Sequence, residues 1–194
     1  MSEHTGMTPH PNHLMYTDWI PALDGIKDIQ NKTILELGLG AGTQTLISRF
    51  KRVISFEVAR TDEWYNNSVA EYSRYPHWSS RFISMKDLGL DRADDELLKS
   101  GGRIRNTEAM KAYFAALESF VPTYQGVDVA FVDQGFHFRG ETVTYFLEKG
   151  IGEIIAHDTF NFDHIYGYDA VKLPSNYVTY VFGGLGTTLY VKVR

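Results

Sequence analysis

The stretch TILELGLGAGT, residues 33–43, decides the fold class of this 194-residue chain. Residues 33–37 form a short apolar run that is typical of a buried strand, and the glycines at positions 38, 40 and 42 end it. Residues 43–50 then have the pattern of a short helix. A buried strand that passes through a glycine loop into a helix is the first unit of an alternating α/β fold.

Short apolar runs and amphipathic stretches continue to alternate along the chain. Because strands separated by helices pair in parallel, this pattern predicts a parallel sheet with helices on both faces. Two β-rich runs near the end are joined by a Gly-Gly-Leu-Gly turn, which predicts an antiparallel hairpin. We therefore predict an α/β, doubly wound, seven-stranded sheet, mostly parallel with an antiparallel last strand. The predicted strands after the first are 53–57, 81–85, 128–132, 153–156, 178–182 and 188–193, and the predicted helices include 61–75, 106–120 and 141–149.

Two segments lie outside this alternation. Residues 1–29 are assigned to an N-terminal arm or lid, and residues 30–194 to the main domain. Residues 87–102 are charged and end in two glycines, which predicts an exposed insertion. Since the loops beyond the carboxyl ends of strands carry specificity in such folds, residues 12–29 and 87–102 are the predicted lids.

Composition narrows the class of protein. Hydrophobic residues make up 43% and charged residues 22% of the chain, which is the balance of a globular domain. The 19 basic and 24 acidic residues give a net charge of −5, so there is no basic surplus of the kind that binds duplex DNA. Cysteine is absent, and no apolar run approaches the ~20 residues that span a bilayer. We expect a soluble, cytoplasmic protein with no membrane or nucleic-acid partner, whose oligomeric state stays open.

The glycine loop after the first strand contains a carboxylate as well as three glycines. A dinucleotide fingerprint has the form G-x-G-x-x-G, whereas this chain has Thr43 at the third glycine position. Glu36 lies at the strand end, where it would repel a pyrophosphate but suit a cation such as an ammonium group. Glu57 ends the second predicted strand and is placed to accept hydrogen bonds from ribose hydroxyls. A nicotinamide or flavin site and a purely structural glycine turn are the alternatives.

Three motifs, ELGLGAGT, VISFE and DVAFVD, resemble the first, second and fourth strand motifs of class I S-adenosylmethionine-dependent methyltransferases. The resemblance covers residues 30–194 and includes the terminal hairpin. It implies S-adenosylmethionine as cofactor, with Glu36 contacting the methionine amino group directly or through water. It also implies that the loop glycines pass beneath the cofactor, that Glu57 holds the ribose and that Asp87 accepts the adenine amino group. The predicted cofactor-binding residues are Glu36, Gly38, Gly40, Gly42, Glu57, Asp87 and Asp133.

Acidic residues and histidines follow the fourth and fifth predicted strands. Asp133 ends the fourth strand, His137 lies in the loop beyond it, and His157 and Asp158 end the fifth. Because neighbouring parallel strands end at the same edge, these four predicted catalytic residues converge beside the glycine loop. Two chemistries fit the convergence. Either Asp133 and Asp158 hold Mg²⁺, which lowers the pKa of an acceptor oxygen, or His137 or His157 takes the acceptor proton without a metal.

The sequence around the fifth strand, GIGEIIAHDTF, is similar to a subgroup of small-molecule O-methyltransferases of the cephalosporin-hydroxylase-like and macrolide-sugar type. In that subgroup a D-G-x-H motif follows the fourth strand, and its acid and the later aspartate help form a metal site. This chain has DQGFH at residues 133–137, which is one residue longer. The resemblance implies methyl transfer to an oxygen, or as a second choice a nitrogen, of a small-molecule acceptor. A methyltransferase acting on protein or nucleic acid, and a non-catalytic cofactor-binding module, are the alternatives.

Overall fold

The structure is a computed structural model in which residues 19–90, 94, 96–97, 106–121, 124–135, 138–160, 163–183 and 186–193 are described. The predicted catalytic residue His137 and most of the predicted 87–102 insertion lie outside these residues. The side chains of Asp163 and His164 lie outside them as well.

A seven-stranded sheet forms the centre of the molecule. Its strands are β1 (Thr33–Leu37), β2 (Arg52–Ala59), β3 (Trp78–Ser84), β4 (Val129–Val132), β5 (Glu153–His157), β6 (Tyr177–Phe182) and β7 (Thr187–Lys192). They lie in the order β3-β2-β1-β4-β5-β7-β6, with parallel pairing from β3 through β5 and with β7 antiparallel to both β5 and β6. The predicted fold class is therefore confirmed. The strand order reverses between β1 and β4, which is where ligands bind in open α/β sheets.

Helices cover both faces of the sheet. They are α1 (Ile20–Asp24), α2 (Thr43–Arg49), α3 (Glu63–Tyr72), α4 (Thr107–Phe120), α5 (Arg139–Lys149) and α6 (Asp163–Tyr166). One apolar cluster joins Leu35 and Phe56 of the sheet to α4 and α5, and a second cluster joins Ile34 and Val53 to α1, α2 and α3. Because successive residues of a strand point to opposite faces, Glu36 lies on the face of the second cluster.

Most predicted elements begin and end within a few residues of the observed ones, and the differences have local causes. β2 extends to Ala59, so Glu57 lies inside this strand rather than at its end. β3 begins at Trp78, because two serines interrupt the apolar pattern that predicted a start at residue 81. α5 begins at Arg139, since Phe138 takes a left-handed conformation with φ of 62° and turns the chain into the helix. Of the helices in the described part of the chain, none has the length and apolar character to cross a membrane.

The described part of the predicted 1–29 arm packs on the core. Trp19 and Leu23 are 4% and 1% exposed, and the Trp19 ring lies 5.2 Å from the ring of Phe131 in β4. Asp24 at the end of α1 forms an ion pair of 2.5 Å with Arg49 at the end of α2. Residues 19–26 therefore contribute to the hydrophobic core, and a lid role stays a prediction for the residues before Trp19.

Candidate active site

The loops after β1 and β4 meet at one edge of the sheet. Leu37 at the end of β1 pairs with Val132 at the end of β4, and the Asp133 N–H donates to the Leu37 carbonyl oxygen at 3.0 Å. On the other side, the Gly38 N–H donates to the Phe56 carbonyl oxygen of β2, also at 3.0 Å. The glycine loop is therefore held between β2 and β4, at the point where the strand order reverses.

A chain of hydrogen bonds through Glu36 fixes the glycine loop. This carboxylate is 1% exposed and accepts hydrogen bonds from Thr43 Oγ1 at 2.7 Å and Ser55 Oγ at 2.6 Å. Ser55 reaches Glu36 because the two residues are paired across β1 and β2 and so point to the same face. Thr43 Oγ1 accepts from the Gly40 N–H at 3.1 Å, and Ser55 Oγ accepts from Trp78 Nε1 at 2.9 Å. Both oxygens of Glu36 are thus engaged inside the protein.

Leu39, in the middle of the loop, is held from two sides. Its N–H donates to Glu57 Oε2 at 2.5 Å, and its carbonyl oxygen accepts from Trp64 Nε1 at 2.7 Å. Glu57 is 8% exposed, whereas Trp64 is 55% exposed and lies in the first turn of α3. The backbone of the loop is therefore positioned by side chains from β2 and α3.

The three loop glycines differ in their surroundings. Gly38 has a φ of +97°, and a Cβ there would lie 2.5 Å from the Asp133 carbonyl oxygen. A Cβ at Gly42 would lie 2.8 Å from the Trp19 ring. At Gly40, by contrast, a Cβ would meet none of the described atoms within 4 Å. Packing therefore requires glycine at positions 38 and 42, while Gly40 borders open space and leaves its backbone accessible to a ligand.

Buried acids at this edge of the sheet hold their protons to a higher pH than exposed acids do. Burial raises the pKa of Glu36 to about 8, although hydrogen bonds from Ser55 and Thr43 oppose the shift. Burial also raises the pKa of Glu57 to about 7, and the charge of Asp133 adds to the rise in the pKa of both acids. A bound cation would favour the ionised form of these acids, whereas a bound phosphate would be repelled by it.

Asp133, His157 and Asp158 lie together beside the glycine loop. His157 Nδ1 is 3.0 Å from Asp133 Oδ1 and 3.6 Å from Asp158 Oδ1, and candidate metal-ligating atoms of the three residues lie within 4.8 Å of one another. The His157 side chain is 3% exposed and that of Asp133 is 27% exposed, so Asp133 is the member that faces solvent. Asp158 has a φ of 59°, a strained conformation for a residue other than glycine that is often found at functional sites.

Arg139, the first residue of α5, lies between the two aspartates. Its Nη1 is 3.3 Å from Asp133 Oδ1 and 3.1 Å from Asp158 Oδ2. The same side chain donates from Nε to the Gln134 carbonyl oxygen at 2.7 Å and from Nη1 to the His157 carbonyl oxygen at 3.3 Å. Burial by itself lowers the pKa of Arg139, but the surrounding tyrosines and aspartates raise this pKa overall, so the guanidinium stays charged.

Two tyrosines close this cluster from the side of α6. The Tyr166 ring centre lies 4.0 Å from the Arg139 guanidinium carbon, a cation–π contact, and Tyr168 donates its hydroxyl to the His157 carbonyl oxygen at 2.9 Å. This segment approaches α5 closely because Gly140 has no side chain. A Cβ at Gly140 would lie 2.1 Å from the carbonyl oxygen of Gly167. The first turn of α5 and the segment after α6 are therefore packed backbone to backbone.

The predicted site residues also include Asp87 and His137. Asp87 is exposed on a short 3₁₀ helix (Met85–Leu88) after β3, and His137 lies outside the described residues.

The sequence analysis did not predict Arg139 or Trp64 as site residues. The sequence carried no signal for Arg139, because the predicted helix began at residue 141, whereas the observed helix begins at Arg139. Trp64 had no signal either, because its contact with the loop depends on how α3 packs.

Two solved structures illustrate which known proteins share this fold. A methyltransferase from Geobacter sulfurreducens matches 97% of this chain and 81% of its own, with 11% sequence identity and a TM-score of 0.50. Fibrillarin from Aeropyrum pernix, solved with natively bound S-adenosyl-L-methionine, matches 91% of this chain and 75% of its own, with 12% identity and a TM-score of 0.52. No protein-family profile matches the sequence, and no curated protein is significantly similar to it. At this level of identity the similarity establishes a shared fold.

Proposed function

We propose that this protein transfers a methyl group from S-adenosylmethionine to an oxygen of a small-molecule acceptor. The observation that carries the proposal is the glycine loop, in which a Cβ at Gly40 would meet none of the described atoms within 4 Å, beside two buried acids, Glu36 and Glu57. A bound cation stabilises the ionised form of these acids, which a phosphate would not do, and S-adenosylmethionine carries an ammonium and a sulfonium group but no phosphate. The fold shared with a methyltransferase and with an S-adenosylmethionine-bound protein supports the same choice.

On the donor side, we assign roles to one loop glycine and to three acids at this edge of the sheet. Gly40 leaves room for the nucleoside, and Glu57 is assigned to the ribose hydroxyls. Since both oxygens of Glu36 already accept hydrogen bonds from the protein, we assign it a contact with the methionine amino group through water. Asp87, exposed after β3, is assigned to the adenine amino group.

On the acceptor side, the reaction requires one proton to be removed. When bound, the donor supplies a methyl carbon that its sulfonium activates; the new carbon–oxygen bond forms as the carbon–sulfur bond breaks, with its electron pair going to sulfur. The acceptor hydroxyl must then lose its proton. We assign its removal to the hydrogen-bonded pair of Asp133 and His157, in which Asp133 is the more exposed member. The role of His137 in the same step stays a prediction.

Calorimetric titration tests the donor side directly. We expect S-adenosylmethionine and S-adenosylhomocysteine to bind with one-to-one stoichiometry, and ATP and NAD to give no measurable binding. Tight binding of ATP or NAD, with no affinity for S-adenosylhomocysteine, would refute the proposal.

The variant Asp133→Asn separates donor binding from acceptor chemistry. We expect the affinity for S-adenosylhomocysteine to change by less than about threefold, while methyl transfer to small hydroxyl compounds falls by about 100-fold or more, the size of a lost general base. Radiolabelled methyl transfer to a panel of small hydroxyl compounds, RNA and peptides measures the second quantity. Transfer to RNA or peptides alone would support the macromolecular alternative, and loss of S-adenosylhomocysteine binding would place Asp133 on the donor side.

A further inference from the structure

We propose that Arg139 is the resident cation of the acceptor site, and that Asp133 and Asp158 therefore bind no divalent metal. The inference rests on the proposed function and deepens it, because it makes methyl transfer at this site independent of metal. It also gives Arg139 the role of a positioning residue. The inference opposes the Mg²⁺ site at Asp133 and Asp158 that the sequence resemblance implies.

Arg139 already contacts one carboxylate oxygen of each aspartate. A hard divalent cation binds carboxylate oxygens at about 2.0–2.6 Å, so an ion shared by Asp133 and Asp158 would lie between their facing oxygens. A positive group therefore already serves one oxygen of each acid, since Nη1 of Arg139 is 3.3 Å from Asp133 Oδ1 and 3.1 Å from Asp158 Oδ2. Asp133 Oδ1 is also 3.0 Å from His157 Nδ1. Asp133 Oδ1 is therefore already shared by two nitrogen atoms.

Arg139 is held too firmly to give way to an ion. Its side chain is 4% exposed, and its Nε donates to the Gln134 carbonyl oxygen at 2.7 Å, a contact that does not involve the acids. Its guanidinium also stacks on the Tyr166 ring, with 4.0 Å between the guanidinium carbon and the ring centre. Moving it aside would break this hydrogen bond to the Gln134 carbonyl oxygen, and leaving it in place would bring a divalent ion next to a buried positive charge.

The balance of charge leads to the same conclusion. Two carboxylates and one guanidinium leave a single net negative charge beside His157. A divalent ion added to this group would change the sign of the total charge in a buried environment. Arg139 alone neutralises most of the repulsion between Asp133 and Asp158 and fixes their orientation, which are the structural roles that a metal would otherwise have.

Manganese binding tests the inference without any need for turnover. Mn²⁺ is titrated into the wild-type protein and into Arg139→Met, which keeps an unbranched apolar stem but removes the guanidinium and its charge, and free Mn²⁺ is followed by electron paramagnetic resonance. We expect the wild type to show no stoichiometric binding. We expect Arg139→Met to bind Mn²⁺ about tenfold more tightly or better, and the double variant Arg139→Met, Asp158→Asn to lose that gain.

Each possible outcome of these measurements either supports or contradicts the inference. Stoichiometric Mn²⁺ binding by the wild type that Asp158→Asn abolishes would overturn the inference, and so would a folded Arg139→Met that gains no affinity. If Arg139→Met does not fold, the His157 ring resonances of the wild type are followed by nuclear magnetic resonance as Mn²⁺ is added. Paramagnetic broadening at stoichiometric Mn²⁺ would contradict the inference. Unbroadened resonances would support the inference. Failure of S-adenosylhomocysteine to bind would refute the proposed function and leave these metal measurements unaffected.

Discussion

Thr43 is the residue that connects the parts of the glycine loop. Its hydroxyl donates to Glu36 and accepts from the Gly40 N–H, so one buried side chain joins β1, the loop and the start of α2. In the dinucleotide fingerprint this position belongs to a third glycine, which has no such hydroxyl. Thr43 therefore both departs from the dinucleotide fingerprint and supplies the hydroxyl that holds the glycine loop.

Replacing Thr43 should weaken the fold through the loop. We expect Thr43→Val to lower the free energy of unfolding by about 1–3 kcal/mol, because Glu36 and the Gly40 N–H each lose a partner in a buried environment. Thr43→Ser keeps the hydroxyl and is the matched control, and urea denaturation measures both variants. Equal losses in the two variants would mean that the hydroxyl does not hold the loop.

Gly40 and Gly38 should respond differently to the same change. We expect Gly40→Ala to leave the melting temperature within about 2 °C of the wild type but to weaken S-adenosylhomocysteine binding by about tenfold or more, since its methyl group enters the space reserved for the ligand. Gly38→Ala should destabilise the fold itself, because its Cβ meets the Asp133 carbonyl oxygen at 2.5 Å and its φ is +97°. Scanning calorimetry and titration calorimetry make the comparison. Unchanged ligand affinity in Gly40→Ala would place the cofactor elsewhere.

At the scale of elements, the start of α5 determines the shape of the acceptor site. Phe138 turns the chain with a positive φ, Arg139 reaches back to the ends of β4 and β5, and Gly140 allows Gly167 to approach. A helix that began two residues later, as the sequence pattern predicted, would leave Arg139 in the loop. The residue at which α5 begins therefore determines whether Arg139 contacts the acids of the site.

Gly140→Ala should disturb the contact between α5 and the segment after α6. The new Cβ would lie 2.1 Å from the Gly167 carbonyl oxygen, and we expect overpacking of this kind to cost about 1–3 kcal/mol of unfolding free energy. Gly183→Ala is the control, because a Cβ at Gly183 would meet nothing within 4 Å among the described residues. Thermal unfolding of both variants provides the measurement. A Gly140→Ala variant as stable as Gly183→Ala would show that the segment moves away without cost.

At the scale of the whole molecule, the parallel sheet gathers acids from separate strands at one edge. Glu36, Glu57 and Asp133 come from β1, β2 and the end of β4, and their charges act on one another. The folded chain therefore holds protons that the unfolded chain releases. This arrangement links the stability of the protein, and its affinity for a cation, to pH.

Stability should decrease as pH rises toward the alkaline side of neutral. Glu57 and Glu36 have pKa values raised to about 7 and about 8 from an ordinary value of 4.5, so above pH 4.5 the folded state binds more protons than the unfolded state. Their contribution is complete below pH 4.5 and is lost as pH rises through 7 and 8. We expect the melting temperature to fall by about 3 °C or more between about pH 5.5 and pH 8.5. Glu57→Gln should show a shallower fall, and an unchanged slope would contradict this assignment.

The same two acids should release protons when S-adenosylmethionine binds. Because its positive charges favour the ionised carboxylates, we expect about one proton to be released per ligand near pH 7, and the affinity to increase as pH rises toward 8. Titration calorimetry in buffers of different ionisation enthalpy measures the proton count. Proton uptake on binding would show that the ligand does not sit beside Glu36 and Glu57.

Local sequence patterns were enough to predict the sheet and part of the candidate site. The alternation of strands and helices predicted seven strands, and the adjacency of β4 and β5 was expected from the fold that the sequence resembles. This adjacency brings Asp133 and His157 within hydrogen-bonding distance. Strand periodicity and glycine position are local properties of the chain, and residues at the carboxyl ends of neighbouring parallel strands must meet.

The sequence by itself determined the fold class, the glycine loop and the placement of the acids, because each depends on short-range pattern and on the rules of parallel sheets. Only the tertiary structure decided which group balances those acids. Arg139 faces Asp133 and Asp158 because Phe138, Gly140 and the packing of α5 orient it. Contacts of this kind depend on how elements pack in three dimensions, and no periodicity in the chain encodes them.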